Sequence, residues 1–230
     1  MLTNIQIQDI TNQRILISDL TDEDLLEFCK FANQRYRDGS PIISDEDYDF
    51  IYALELSKRL PDHPFLQKVE DENVGFSEEK IKLPEKMLST DKAYSWEEVN
   101  KWLERIRKFS EEIDFSLDNI QIKGTAKLDG FAGFDDGNKL YTRGDGNKGS
   151  DITRVFERGL GTFNNSHRGQ GPGEIVVKRS YFEKHLSGHF EYPRNFQASL
   201  IKEKELDQFA KDAIANEAAL FVPFSQLPFW

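Results

Sequence analysis

The chain has 230 residues, 38% hydrophobic and 31% charged, and its 30 lysines and arginines against 41 aspartates and glutamates leave a net charge of −11. That length holds one sizeable domain and a smaller one around a real core, and the acidic balance argues against nucleic-acid binding through the whole surface, because phosphate contacts need basic side chains. No apolar run approaches the ~20 residues of a bilayer span, the start Met1-Leu2-Thr3-Asn4-Ile5-Gln6 lacks a signal-peptide pattern, and a single cysteine, Cys29, excludes an internal disulfide or a cysteine-based zinc site. The expectation is a cytoplasmic, monomeric protein with no membrane partner.

Residues 1–20 alternate weakly (Ile5, Ile7, Ile10; Ile15, Leu16, Ile17) and read as one or two short strands or an irregular arm. Thr21-Asp22-Glu23-Asp24 is a helix start, after which Leu25, Cys29, Ala32 and Tyr36 recur at helical spacing up to the stop at Asp38-Gly39-Ser40-Pro41. A second helix begins at Ser44-Asp45-Glu46-Asp47, presents Tyr48, Ile51, Tyr52 and Leu56, and ends at Pro61, completing a helical hairpin. Periodicity alone accounts for Tyr48 as an amphipathic core residue, and Asp45 and Asp49, four apart at a helix start, could simply complement the dipole. Residues 61–86, with Pro61, Pro64, Gly75 and Pro84 among many glutamates and lysines, have the composition of a surface linker. Ser95-Trp96-Glu97-Glu98 is a capping box opening a helix whose Val99, Trp102, Leu103 and Ile106 are expected in the core.

The stretch Gly124-Thr125-Ala126-Lys127-Leu128-Asp129-Gly130 follows. Ile120, Ile122 and the small residues up to Leu128 read as a strand with Lys127 at its end, turning at Gly130 into a second strand through Phe131 and Phe134. In such a strand Asp129 shares the face of Lys127, and Gly130 leaves room for a ligand or another backbone. By itself a lysine so placed is most often a solvated outer-face residue. Asp136-Gly137-Asn138 is a hairpin turn into Lys139–Thr142; a short helix (Asp151–Arg158), a loop (Asn164–Pro172), a strand (Gly173–Lys178), two helices (Ser180–Leu186, Leu206–Ile214) and a buried strand (Ala218–Phe224) complete the chain. Between Gly137 and Lys204 there are 12 basic and 7 acidic residues, a +5 segment in a chain otherwise at −16. Gly144–Ser150 lacks the spacer of a P-loop, Arg143-Gly144-Asp145 as an adhesion motif is chance, and His185 and His189, four apart, lack a third metal ligand.

Lys127-x-Asp129-Gly130 followed by Thr142-Arg143-Gly144-Asp145-Gly146-x-x-Gly149-x-Asp151-Ile152-Thr153 closely resembles the nucleotidyltransferase domain of the NAD-dependent DNA ligases. The resemblance implies an α+β fold: a helical hairpin, then a nucleotidyltransferase core of the ATP-grasp-like ligase type with antiparallel sheets. It implies a division into an arm and hairpin (1–72), a linker (73–86) and a nucleotidyltransferase domain (87–230) that is C-terminally incomplete relative to the family. In that family the motif lysine, here Lys127, attacks the α-phosphate of NAD, keeps AMP as a phosphoramidate and releases nicotinamide mononucleotide. The hairpin is similar to the family's nicotinamide-gripping domain at Asp45, Tyr48 and Asp49, and at Tyr36 if one loop residue is deleted. Met87–Tyr94 resembles the segment lining the adenosine pocket, giving Ser89 and Thr90 as cofactor contacts, with Thr125 standing where the family has an acidic residue. Asp129 is then expected at the sugar or ordering the reacting groups, Glu174 at the ribose and metal end, and Arg143 and Arg194 (of Pro193-Arg194-Asn195) on the pyrophosphate with Mg2+.

The chemistry requires these types. A free lysine, with a pKa near 10.4, is a nucleophile only when neutral, so cationic neighbours such as Arg143 and a metal must depress it, and the same cations offset charge growing on the leaving phosphate. Phe196-Gln197-Ala198-Ser199 departs from the family's alanine run. The resemblance stops short of the family's DNA-gripping barrel, zinc and helix-hairpin-helix modules, so nicked DNA is expected to bind these 230 residues only weakly or through other modules. A non-catalytic descendant that binds a nucleotide or a partner is the alternative reading.

Overall fold

The structure, a computed structural model, describes residues 2–67, 80–87, 92–202 and 205–227. The chain forms two compact units: a larger one of Met1–Leu88 and Leu128–Gln226, and a smaller one of Ser89–Lys127 with Leu227–Trp230.

In the larger unit the expected strand or irregular arm is a helix, Asn4–Thr11. Its start explains this: the Thr3 hydroxyl accepts from the Gln6 N–H while the Gln6 side chain accepts from the Thr3 N–H, a reciprocal cap that outweighs weak alternation. The hairpin follows as Asp22–Arg37, capped by Thr21, and a second helix in three segments, Asp45–Asp47, a π-helical Tyr48–Ala53 and Leu54–Arg59. Leu25, Phe28, Cys29, Tyr52 and Leu56 form its core. The arm is tied to it by the Tyr52 hydroxyl, which donates to the Ile10 carbonyl (3.1 Å), and by Arg59, which donates to the carbonyls of Leu20 and Ile17 (2.8 and 3.1 Å). Within the stretch read as linker, the described residues form a short helix, Pro64–Gln67, and strand β1, Ile81–Lys82.

The rest of this unit is built on a five-stranded sheet. Its strands are β2 (Phe131–Asp135), β3 (Leu140–Thr142), β5 (Gly161–Thr162), β6 (Gly171–Val177) and β7 (Ala219–Pro223), in the order β3-β2-β6-β7-β5. All pairings are antiparallel except β5 with β7. A second ribbon pairs β1 with β4, Lys148–Gly149. One face of the main sheet, bearing Phe131, Leu140, Ile175, Val177 and Phe221, packs on the helices Arg154–Glu157, Pro193–Ile201 and Gln208–Ala215 to make the main core. The opposite face carries Phe134 and Tyr141, which pack with Leu83 and Met87. The Asp136-Gly137-Asn138 turn is held by Asp135 and Asp136: Asp135 accepts from the Gly137 N–H (3.1 Å), and Asp136 from the Asn138 and Lys139 N–H groups (2.8 and 2.6 Å).

The smaller unit contains the helix Trp96–Glu112, with the Ser95/Glu98 capping box expected. Its apolar residues are not core. Trp96 is 81% exposed, Trp102 39% and Phe109 60%, and only Ser110 of the helix is buried. The stripe lines an open cleft of about 530 Å3 with Phe115 and Ile120, since the described residues of this unit supply too little opposing apolar surface to close it.

Candidate active site

Residues 120–129 form no strand, contrary to expectation, and Ile122, Thr125, Lys127 and Asp129 are exposed. Alternating apolar residues become a strand only where a neighbouring strand takes up their backbone groups, and here the ladder starts at Phe131. With no strand here, Lys127 and Asp129 do not share a strand face. The division between the two units falls between Lys127 and Leu128.

From Gly130 onward the motif is fixed. A Cβ on Gly130 would overlap the Ile175 carbonyl oxygen and meet the Glu174 Cγ and Val176 Cγ1 at 2.9 Å, so only glycine lets the turn lie on β6 beside Glu174. The sheet register then aligns the charged candidates. Ala132 on β2 pairs with Glu174 on β6, Glu174 pairs with Val222 on β7, and the Arg143 N–H donates to the Ala132 carbonyl (3.1 Å), extending the β2–β3 ladder by one residue. Paired residues of antiparallel strands share a face. Arg143 and Glu174 therefore stand in one cross-strand row, their Cα atoms two strand spacings or roughly 10 Å apart, on the face opposite Phe131 and Ile175.

The loop after Arg143 is rigid by construction. Gly144 has φ +54° and a Cβ there would overlap the Lys148 carbonyl, while Asp145 accepts from the Asn147 and Lys148 N–H groups, each at 2.8 Å. Those bonds, the Lys148 N–H foremost, hold the Asp145 carboxyl below its usual pKa. The Met87 N–H donates to the Gly146 carbonyl (2.9 Å), anchoring Met87 on this loop; Ser89 and Thr90 lie outside the described residues. The Asp151-Ile152-Thr153 part of the motif is structural: Ile152 is buried in the main core and the Thr153 hydroxyl accepts from the Leu140 N–H (3.0 Å).

Arg194 was expected beside Arg143 on the pyrophosphate, and the structure gives its guanidinium other partners. It is 2% exposed and sits 3.9 Å from the ring centroids of both Tyr36 and Phe131, donating to the carbonyls of Tyr36 (3.3 Å) and Gly130. Phe131 faces the main core, away from the Arg143–Glu174 row. In the hairpin the Tyr36 hydroxyl donates to Asp45 (3.3 Å), bringing these two predicted residues together, and the half-buried Tyr48 donates to the Cys29 carbonyl (3.4 Å) with Asp49 beside it in sequence. His185 and His189 stack on Tyr181 and Phe209 rather than on each other. Sequence reasoning missed Gln197, which registered only as a departure from an alanine run. It is fully buried and donates 2.8 Å to the Asp129 carbonyl. Among the described residues no three histidine, cysteine or carboxylate side chains converge on a metal site.

An α+β domain whose open sheet aligns a basic and an acidic residue beside a conformationally fixed Asp-Gly turn has the frame of a nucleotide-handling domain. The family model for the NAD-dependent DNA ligase adenylation domain matches residues 76–212. The chain is 60% identical over its full length to a DNA ligase of Vesicomyosocius okutanii, of which it covers 36%, and 61% identical over 93% of its length to one of Ruthia magnifica, of which it covers 35%. A DNA ligase of Desulfotalea psychrophila is 48% identical over 98% of the chain, again across 33% of the relative. The chain thus belongs to the NAD-dependent DNA ligase adenylation domain family, and it spans about a third of the length of the relatives it matches.

Proposed function

We propose that the chain carries out lysine adenylation, the first step of nick joining. The neutral amine of Lys127 attacks the α-phosphate of NAD, an N–P bond forms as the α-phosphate–oxygen bond to nicotinamide mononucleotide breaks, and the amine proton is lost to solvent or a nearby base. The observation that carries this reading is the family match across the Lys127-to-Arg194 region together with the Arg143–Glu174 row. In this reading Arg143 opposes the charge developing on the pyrophosphate, Glu174 receives the ribose end, Asp129 orders the sugar, and Ser89, Thr90 and Thr125 line the adenosine side. Mg2+ suits a donor set with one carboxylate, Glu174, because it is held chiefly by phosphate oxygens and water; bound there it supplies charge neutralisation. Tyr36, Asp45, Tyr48 and Asp49 take the nicotinamide half and select NAD over ATP.

The test is the intact mass of the chain after incubation with NAD and Mg2+. Addition of one AMP, lost in Lys127→Ala, supports the reading, and an unmodified chain overturns it. Equal labelling by ATP would remove the role given to the hairpin. Sealing of nicked duplex is a property of the longer relatives' whole chains; with a +5 segment in a −11 chain, binding of this chain to a nick should be weak and salt-sensitive. The same reading divides the chain into a hairpin domain (1–72), a linker (73–86) and an adenylation domain (87–230), working as a monomer. Among the described residues no helix is long and apolar enough to cross a membrane.

A further inference from the structure

We propose that Gln197 is a positioning residue for attack by Lys127, holding the main chain of Asp129 from the Pro193–Ile201 helix; this rests on the reading of Lys127 as the nucleophile. The β2 ladder begins at Phe131, so the carbonyls of Asp129 and Gly130 lie outside the sheet. Two side chains of the helix reach them. Gln197 donates to the Asp129 carbonyl at 2.8 Å, and Arg194, three positions earlier and so on the same helix face, donates to the Gly130 carbonyl. Both are buried, at 0% and 2% exposure. They extend the sheet's constraint by two residues, to within two positions of Lys127 in sequence. Arg194 also holds the Tyr36 carbonyl at the end of the first hairpin helix, so the bracket ties the hairpin to the same turn.

A second observation separates this role from packing. The Gln197 side-chain oxygen is buried and has no hydrogen-bond partner among the described residues. A buried acceptor left unmet costs stability, so an apolar side chain of equal length would serve a purely structural purpose better. What glutamine contributes there is the N–H to Asp129. Gln197→Met keeps length and volume, removes that N–H and removes the unmet oxygen, and the Asp129 carbonyl it gives up belongs to an exposed residue that water can reach.

The expected result for Gln197→Met is a thermal midpoint equal to or above that of the parent, faster amide exchange at Leu128–Phe131, and lysyl-AMP formation slowed about 10-fold at saturating NAD with KM for NAD changed less than about twofold, since small misplacements at a reacting centre cost rate rather than affinity. A midpoint that falls in step with the rate, or exchange unchanged at Leu128–Phe131, overturns the proposal. If the parent chain itself takes no AMP, the reading of Lys127 fails on its own, and the exchange measurement still decides whether Gln197 holds the turn.

Discussion

Asp135→Asn should be among the most damaging single-atom changes available in this chain. The Asp135 carboxylate is 1% exposed and accepts from four donors: Arg168 Nε (2.8 and 2.9 Å to its two oxygens), Arg168 Nη2 (2.7 Å), and the N–H groups of Gly137 (3.1 Å) and Gly169 (2.9 Å). An asparagine keeps one acceptor and turns an amide N–H2 toward groups that can only donate. Removing one partner of a buried ion pair costs about 3–5 kcal/mol. The Arg168 side chain is 28% exposed and can partly rehydrate while remaining stacked on Phe156 at 3.7 Å, which favours the lower end, about 3 kcal/mol. For a chain of this size that lowers the midpoint by roughly 6–12 °C. Circular dichroism melts at neutral pH measure it. The clasp closes the turn between β2 and β3 and pins Gly169 just before β6, so adenylation should also slow as the Arg143–Glu174 row loosens. A loss of under about 2 °C would mean that water already satisfies Arg168, and the reasoning would fail; the double change Asp135→Asn with Arg168→Met should be less harmful than the sum of its parts.

Three further outcomes are expected. Gly130→Ala should cost about 1–3 kcal/mol in denaturant unfolding, because the obstructing atom is the β6 backbone and cannot swing away; an unchanged midpoint would show that the turn does not rest on β6. Asp136 and Asp145 both have lowered carboxyl pKa values: for Asp136 burial raises the value but the Lys139 and Asn138 N–H groups and the Tyr141 hydroxyl outweigh it, and for Asp145 the Lys148 and Asn147 N–H groups dominate. Groups depressed on folding stabilise fully above the unfolded value near 3.9 and lose that contribution as pH falls through the folded values, so melts should be flat above about pH 5 and drop below about pH 4, and a rise on acidification would contradict this. Burial pushes the Cys29 thiol up to about 12, so iodoacetamide at pH 8 should modify it only after unfolding; rapid labelling of the native chain would show that the hairpin core opens.

Much of the hairpin and sheet was legible because local chemistry and tertiary packing agree there. Thr21 and Ser44 cap helices whose apolar residues meet, and Asp136-Gly137 turns a strand pair with its register set by the turn. The misses have identifiable causes. Thr3 and Gln6 spell out a capping box, and that reciprocal cap overrides the weak isoleucine alternation. Ile120 and Ile122 carry strand propensity but find no neighbouring strand to pair with among the described residues, which no local pattern reveals. The amphipathic stripe of Trp96–Glu112 was read as core, although amphipathicity specifies only that a helix has an apolar face, not that something covers it. Of the residues the resemblance singled out, Arg143 and Glu174 lie in one cross-strand row, a register that only the sheet pairing reveals. The engagement of Arg194 with carbonyls and rings, and the bond from Gln197 to Asp129, depend on how a helix lies against a turn some 65 residues away in sequence, between 64 and 68 positions as the bonds run.

The exposed helix of the smaller unit also decides what light can report about this chain. The sequence has three tryptophans, and the two among the described residues, Trp96 and Trp102, both stand on that solvent-facing helix. Trp96, at 81% exposure, should emit as wet indole in the native state, and Trp102, at 39%, as a partly shielded one. Anything that settled on the apolar stripe would shift that emission to the blue.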